Sequence, residues 1–508
     1  METAALRRGS LAQLADACRR AVSERSGVFW AVVGLTALAA ALRFATLGAQ
    51  SYHHDEVVTA ARVLRGTLGH AVEKIGSSES APPLYYLIAW FWTQLTGTGE
   101  VGLRSISALA GVATVPVAYL IGAELRGRRA GISAAALVAT NPMLVWYSRE
   151  ARCYSLLVLL GSAALLFFLR ARRSGSARDL NRWALFSALA LASHYFAIFP
   201  AAAEAVLLLR RRGRAVLRPL AWVALAGLVL VPLALLQAGH TDHIDWIERQ
   251  ALLPRLGQAG VAFMVGETGE VISQPVRPLL ALVPALLAGA LLLLLAFRAD
   301  RRDRNLGAAL IAVAAFSVLA PTVLALAGKD FVIARNLIGA LVPLLAALAL
   351  AATLPATRRA GAALCAGLLA YSLGFTVWAS FDSSLQRPDW RGVAHRLGEP
   401  REPRALVTWV LGAAPLRYYL PSSPFQVEPR GERWYVHEVD LVSKGPLRSR
   451  PAGIGPQFRR AGSTPFGRLV ITRFRAPGLA HLGVRALKEA DLGFPNSRVL
   501  LDGIGPPA

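Results

Sequence analysis

The sequence predicts an all-α polytopic membrane domain of about eleven transmembrane helices, followed by a small C-terminal α/β domain outside the bilayer. Three observations predict it. Hydrophobic residues make up 55% of the chain and charged residues 17%, with a mean hydropathy of +0.45, a balance that suits lipid rather than water. Apolar runs of spanning length recur from Val28 to about Ser380 and then stop. Between those runs lie short arginine clusters, the pattern of cytoplasmic loops under the positive-inside rule.

The formal charge of +24 therefore belongs to topology. Nucleic-acid binding is not expected, because the arginines cluster in short segments between apolar runs, as cytoplasmic loops do. Cys18, Cys153 and Cys365 lie in the N-terminal tail and in or beside predicted spans, so neither a disulfide framework nor a CxxC metal site is expected. The first apolar run, Val28 to Leu47, is long for a secretory signal and is followed by further spans, so it reads as an uncleaved signal-anchor.

The basic markers fix sidedness. They are Arg7, Arg8, Arg19, Arg20 and Arg25 in the tail, then Arg126 to Arg129, Arg170 to Arg182, Arg210 to Arg218, Arg298 to Arg304, and Arg358 with Arg359. All must face one side. The segment Pro83 to Gly97, "PLYYLIAWFWTQLTG", cannot span without inverting every later loop, so it reads as an interfacial helix carrying Tyr85, Tyr86, Trp90 and Trp92. The segment Trp183 to Leu209 has basic clusters at both ends and must form a hairpin turning near Ser193, His194 and Tyr195. Each leg of about 13 residues reaches only ~20 Å against a hydrocarbon core of ~30 Å, which sets His194 inside the protein. A structural, hydrogen-bonded histidine and a functional one fit this placement equally.

Residues 1–27 are thus expected to be a cytoplasmic tail and 28–380 a transmembrane catalytic domain with outer loops 48–100 and 238–275. Residues 381–508 are expected to form an extracytoplasmic α/β domain. In that domain Ala405 to Val410, Arg468 to Thr472 and Val499 to Leu501 read as strands, and Arg391 to Leu397 and Ala414 to Leu420 as helices.

With sidedness set, the unusual polar residues share the outer face. They are the tetrad His53, His54, Asp55 and Glu56 after the first span, and "YSREARCYS" with Arg149, Glu150, Arg152 and Tyr154. His194, and "GKDFVIARNL" with Lys329, Asp330 and Arg335, complete the set. Any one of these could be a solvated helix end. Outer loops have no topological need for arginine, so Arg149, Arg152, Lys329 and Arg335 together point to an anionic ligand. Arginine offers a bidentate fork to phosphate, and an aspartate in a partly desolvated cleft can accept a proton from an attacking hydroxyl. Base and phosphate clamp at a membrane surface point to transfer of a group from a lipid-linked phosphate.

The ordered series "HHDE", "APPLYYLIAWFWTQLTG" with "EVGLRSISALAG", "NPMLVWYSREARCYSLL", "SHYF", "KDFVIARNLIGALVP" and "RPDWRGVA" resembles bacterial members of glycosyltransferase family 39. These are GT-C fold enzymes related to protein O-mannosyltransferases and the aminoarabinose transferase of lipid A. The resemblance covers roughly residues 28–400. It implies a sugar donor on a polyprenyl phosphate and inversion at the anomeric carbon, with Asp55 as general base and Glu56 as its companion. Arg149, Arg152, His194, Lys329 and Arg335 become candidates for the phosphate leaving group, and His54, Glu150, Tyr154 and Trp246 for substrate contacts. No cofactor is required, and the acceptor is a glycan, lipid or protein. Two departures stand out: His194 replaces a lysine at the hairpin turn, and Asn336 follows Arg335 where a tyrosine is common.

The loop "HTDHIDWIERQ" places His240, Asp242, His243 and Asp245 close together. A divalent cation suits such ligands, but the spacing follows no metal motif and a flexible solvated loop is the favoured reading. Trp246 reads either as a sugar-stacking ring or as a membrane anchor. Glu204, an acid within the second hairpin leg, is expected to pair inside the bundle. The rival reading is a transporter or flippase of lipid-linked glycans, which would also need a basic cavity but usually shows paired repeats. A structural scaffold would leave the Asp55 tetrad without a purpose.

Overall fold

The computed structural model describes residues 26–239, 247, 250–267, 276–400, 402–422, 425–427, 433–493 and 497–502. Its residues form two compact units. One comprises Met1–Ala45, Ile75–Tyr85 and Arg104–Trp378; the other comprises Thr46–Lys74, Tyr86–Leu103 and Ala379–Ala508.

The first unit is helical. Eight helical stretches among the described residues are long and apolar enough to cross a membrane. Two of them, Glu100–Thr140 and Tyr195–Ala238, run 41 and 44 residues and are each bent into two legs. The helix α8 (Ala177–Ser193) adds a further 17-residue segment beside them. In α5 (Glu100–Thr140) the bend falls at Arg126 and Gly127, where Gly127 takes a φ of 71° that a side chain disfavours. Arg126 there pairs with the buried Asp303 of α13 (Arg301–Leu326).

The hairpin is present as α8 and α9 (Ile198–Arg212), with His194 extended between them and a 3₁₀ turn over Tyr195–Ala197. Trp183 Nε1 of α8 donates to Glu204 Oε2 of α9 at 2.8 Å, so Glu204 is paired within the bundle.

Three elements differ from the sequence reading. The span expected over 130–147 ends at Thr140, and Pro142–Ser148 forms a separate short helix, α6. Asn141 is the reason: Pro142 disfavours the α conformation in the residue before it, and the Asn141 side chain caps α6 by accepting from Leu144 N at 3.1 Å. The loop 238–275 contains a helix, α11 (Leu252–Val265), which buries Arg255, Ala262 and Phe263. The span expected over 331–352 begins with a 3₁₀ turn, Ala334–Ala340, before α14 (Leu341–Ala352).

The second unit holds a six-stranded mixed sheet. The strands are β1 (Arg404–Trp409), β2 (Gln426–Val427), β3 (Arg433–Ser443), β4 (Arg459–Phe466), β5 (Leu469–Gly483) and β6 (Ser497–Asp502), in the order β2-β6-β1-β3-β5-β4. Among the described residues, β1 and β3 pair in parallel and the other pairs are antiparallel. Successive side chains of a strand face opposite ways, and here both faces are covered. Ala405 and Val407 join one core with Val439 and Leu441, while Leu406 joins the other. That second core includes Trp390 and Val393 of α16 (Trp390–Leu397) and Leu416 of α17 (Val410–Tyr419). The strands and helices read from the sequence in this region are all present, and β2, β3 and β4 are additional.

The helix α4 (Leu84–Thr96), whose residues from Tyr86 onward belong to the second unit, has 13 residues, too few to span. From Tyr86 onward, Tyr86, Ala89 and Thr93 are buried, while Ile88, Phe91 and Leu95 form an exposed apolar stripe, the pattern of a helix that lies in an interface.

Candidate active site

In the second unit, the tetrad opens α2 (His54–Val57), which continues as a π-helical turn over Val58–Val63. Leu64 N donates to Thr59 O at 2.9 Å, an i to i−5 bond of the kind that recurs at functional sites. Glu56 is fully buried and its Oε2 accepts from the His53 backbone N–H at 3.1 Å, closing the first turn of the helix. The residue expected to accompany Asp55 thus holds the turn on which Asp55 stands. Asp55 and His54 are half-buried. Burial, and after it the Arg387 guanidinium, push the His53 imidazole down to about 3, so it is neutral at physiological pH.

In the first unit, several of the residues singled out in the sequence collect around the turn from α6 into α7 (Tyr154–Ser174). Arg152 Nη1 donates to Glu79 Oε2 at 2.6 Å, and Ser107 Oγ donates to Arg152 O at 3.1 Å. Glu150 is buried. The Tyr154 ring lies 4.7 Å from that of Tyr147 and 5.6 Å from that of His194. His194 Nδ1 accepts from Phe196 N at 3.2 Å, which leaves the proton on Nε2. Burial, with Arg152 and Arg335 nearby, pushes His194 down to about 3. Tyr147 donates to Glu267 Oε1 at 3.1 Å, and burial together with Glu267 holds its phenol well above the usual range.

Arg149 caps the C-terminal end of α6. Burial lowers its guanidinium to about 10, helped by the positive charge of the buried Arg104. Arginines that repel one another out of water favour an anion between or beside them. Burial also pushes the Cys153 thiol up to about 12, so it stays protonated.

The structure brings Arg149, Glu150, Arg152, Tyr154, His194 and Arg335 into the first unit, with Arg152 and Arg335 both acting on His194. Asp55, Glu56 and His54 lie in the second unit. Lys329 is in the first unit with its side chain exposed. Its neighbour Asp330 receives both terminal nitrogens of Arg255, whose Nη1 also donates to Val332 O at 2.6 Å. The hydrogen bonds from Arg255 lower the Asp330 carboxyl from its ordinary value. Trp246 lies outside the described residues, as do His240, Asp242, His243 and Asp245. Among the described residues, no group of three His, Cys, Asp or Glu side chains is placed to hold a metal ion.

Sequence reasoning does not single out Glu79, Arg43, Tyr147 or Arg255. Arg43 carries a legible signal, a full charge inside the first apolar run. It is fully buried and donates to Ser148 Oγ at 3.1 Å and to Ala139 O at 3.0 Å. Glu79, in a short serine-rich stretch, carries none.

Residues 80–236 match the family described as dolichyl-phosphate-mannose-protein mannosyltransferase. No curated protein matches the chain in sequence. Among solved structures the chain is similar to ArnT from Cupriavidus metallidurans bound to undecaprenyl phosphate, at 16% identity and a TM-score of 0.51, over 87% of this chain and 97% of that one. The apo state of the same protein matches at 16% identity and a TM-score of 0.51, over 88% and 98% of the two chains. Archaeal AglB from Archaeoglobus fulgidus, in complex with an inhibitory peptide and a dolichol-phosphate, is more distant, at 13% identity and a TM-score of 0.44 over 78% of this chain and 60% of that one. The fold is thus of the GT-C type that the motif series implied, and the chain is a multi-pass membrane protein.

Proposed function

From a chain with the GT-C fold and a mannosyltransferase-family segment, we propose an inverting glycosyltransferase that moves a sugar from a polyprenyl-phosphate donor to a hydroxyl acceptor on the extracytoplasmic side. The reading is supported above all by the buried Arg152 and the half-buried Arg149 of one turn, with the buried Arg104 near enough to Arg149 to oppose its charge. Such an arrangement suits a phosphate. The undecaprenyl phosphate bound in the similar ArnT structure agrees with that class of donor.

In the proposed reaction the acceptor hydroxyl gives its proton to the Asp55 carboxylate as its oxygen bonds to the anomeric carbon. The bond from that carbon to the phosphate oxygen breaks, and the electron pair leaves with the polyprenyl phosphate. Arg149, Arg152 and Arg335 stabilise the charge that grows on the departing phosphate, His194 offers it the Nε2 proton, and Lys329 adds a point charge. His54, Glu150, Tyr154 and Trp246 contact substrate. The displacement needs no cofactor, since base and cations are side chains. The N-terminus lies in the cytoplasm, and the reacting residues and the sheet domain lie outside. The acceptor is a glycan, lipid or protein hydroxyl.

The test is reconstitution in proteoliposomes with a labelled polyprenyl-phosphate sugar and a hydroxyl acceptor, comparing the wild type with Asp55→Asn. Transfer by the wild type and its loss in a folded variant is the expected result. Movement of the labelled lipid between leaflets without transfer overturns the reading in favour of a flippase.

A further inference from the structure

In the second unit the residues just before Asp55 are tied to the C-terminal domain, and one phenol makes two of the bonds. Tyr419, the last residue of α17, accepts from the Tyr52 backbone N–H at 2.7 Å, and the same hydroxyl donates to Glu100 Oε1. Arg391 of α16 donates to the other oxygen of that carboxylate at 2.7 Å, and its second terminal nitrogen reaches Gly48 O at 3.2 Å and Ala49 O at 3.3 Å. Ser51 is bracketed by the same helix: its hydroxyl accepts from Trp390 N at 2.8 Å and lies 3.3 Å from Pro388 O. The Tyr52 ring is fully buried, edge-on to Tyr418 at 5.7 Å, with its hydroxyl donating to Thr98 O at 2.9 Å.

Residues Gly48 to His53 form no helix or strand. Their path into α2 is therefore not set by a backbone ladder of their own, and the side chains of α16, α17 and Glu100 replace one. We infer that Tyr419 is a positioning residue for Asp55, with Glu100 orienting its hydroxyl and Arg391 orienting Glu100, so that the C-terminal domain sets the geometry of the base. This rests on the role of Asp55 proposed above. It assigns that domain a part in the reaction that does not depend on its touching substrate. Tyr419 suits such a role because its ring only borders the domain core, which is built from residues such as Trp390, Leu406 and Leu416. Removing the hydroxyl leaves that core whole.

The experiment uses the full chain in proteoliposomes and two readouts. Amide hydrogen exchange in peptides covering residues 46–57 should be roughly tenfold faster in Tyr419→Phe, with β1 unchanged. In the transfer assay, kcat should fall roughly tenfold while donor KM stays constant, because a displaced base changes the chemical step rather than donor affinity. Glu100→Ala should repeat the effect, and Glu100→Gln, which keeps an acceptor for the phenol, should restore kcat to within about twofold of the wild type. Unchanged exchange at 46–57, faster exchange that includes β1, or faster exchange at 46–57 with an unchanged kcat would each overturn the inference. A wild type that transfers no sugar overturns the proposed reaction instead, and the exchange result, read without turnover, distinguishes the two failures.

Discussion

Arg152 and Glu79 face one another across 2.6 Å, with side chains 10% and 2% exposed. Removing one member of a buried pair leaves an uncompensated charge out of water, at a cost of roughly 3–5 kcal/mol, whereas removing both avoids that penalty. Glu79→Ala and Arg152→Ala should each lower the thermal midpoint in detergent more than the double variant does. A double variant whose loss equals the sum of the two would mean that they act separately.

The His53 imidazole is pushed down from 6.5 to about 3 by burial and by Arg387. Between those values the unfolded chain binds the proton that the folded chain refuses, so this contribution to stability is complete above 6.5 and is lost as pH falls toward 3. His53→Asn, which cannot protonate, should narrow the drop in thermal midpoint between pH 7 and 4 relative to the wild type. Equal drops would contradict the assignment.

Gly111 of α5 lies against the Arg43 and Ser148 contact. A Cβ there would stand 2.1 Å from Ser148 Oγ and 2.8 Å from Arg43 Nε, so something must shift. Gly111→Ala should destabilise by roughly 1–3 kcal/mol, read as a lower midpoint against a nearby surface control. A variant as stable as the wild type would show that the Arg43 site yields without cost.

Arg255 holds Asp330 and the Val332 carbonyl, five and three residues ahead of Arg335. Arg255→Ala should free that turn and lower transfer on the order of tenfold through misplacement of Arg335. The accompanying Asp330→Asn, Arg255→Ala double variant should do no worse than Arg255→Ala alone. Additive losses would mean that Asp330 serves the reaction directly.

Much of this protein is written locally. Leucine and alanine runs marked the helices, the basic clusters marked the breaks at Arg126 and Gly213, and the parity of those clusters required the hairpin that turns at His194. Asn141 and Pro142 shifted a boundary by the same local rules, which a reading based on hydropathy alone passes over. Arg149, Arg152 and Arg335 stood out in the sequence because the topology predicted there gives them no part in setting sidedness.

What only the tertiary structure decided is which partner each polar group meets. Glu79 reaches Arg152 across 73 residues of sequence, and Tyr419 reaches Tyr52 across 367. The helix α11 and the strands β3 and β4 also emerged only in the fold. Hydrophobic periodicity is a property of neighbours along the chain, so it survives in one dimension. A buried hydrogen bond is chosen by whichever donor the packed elements bring within reach, and no local pattern records that choice.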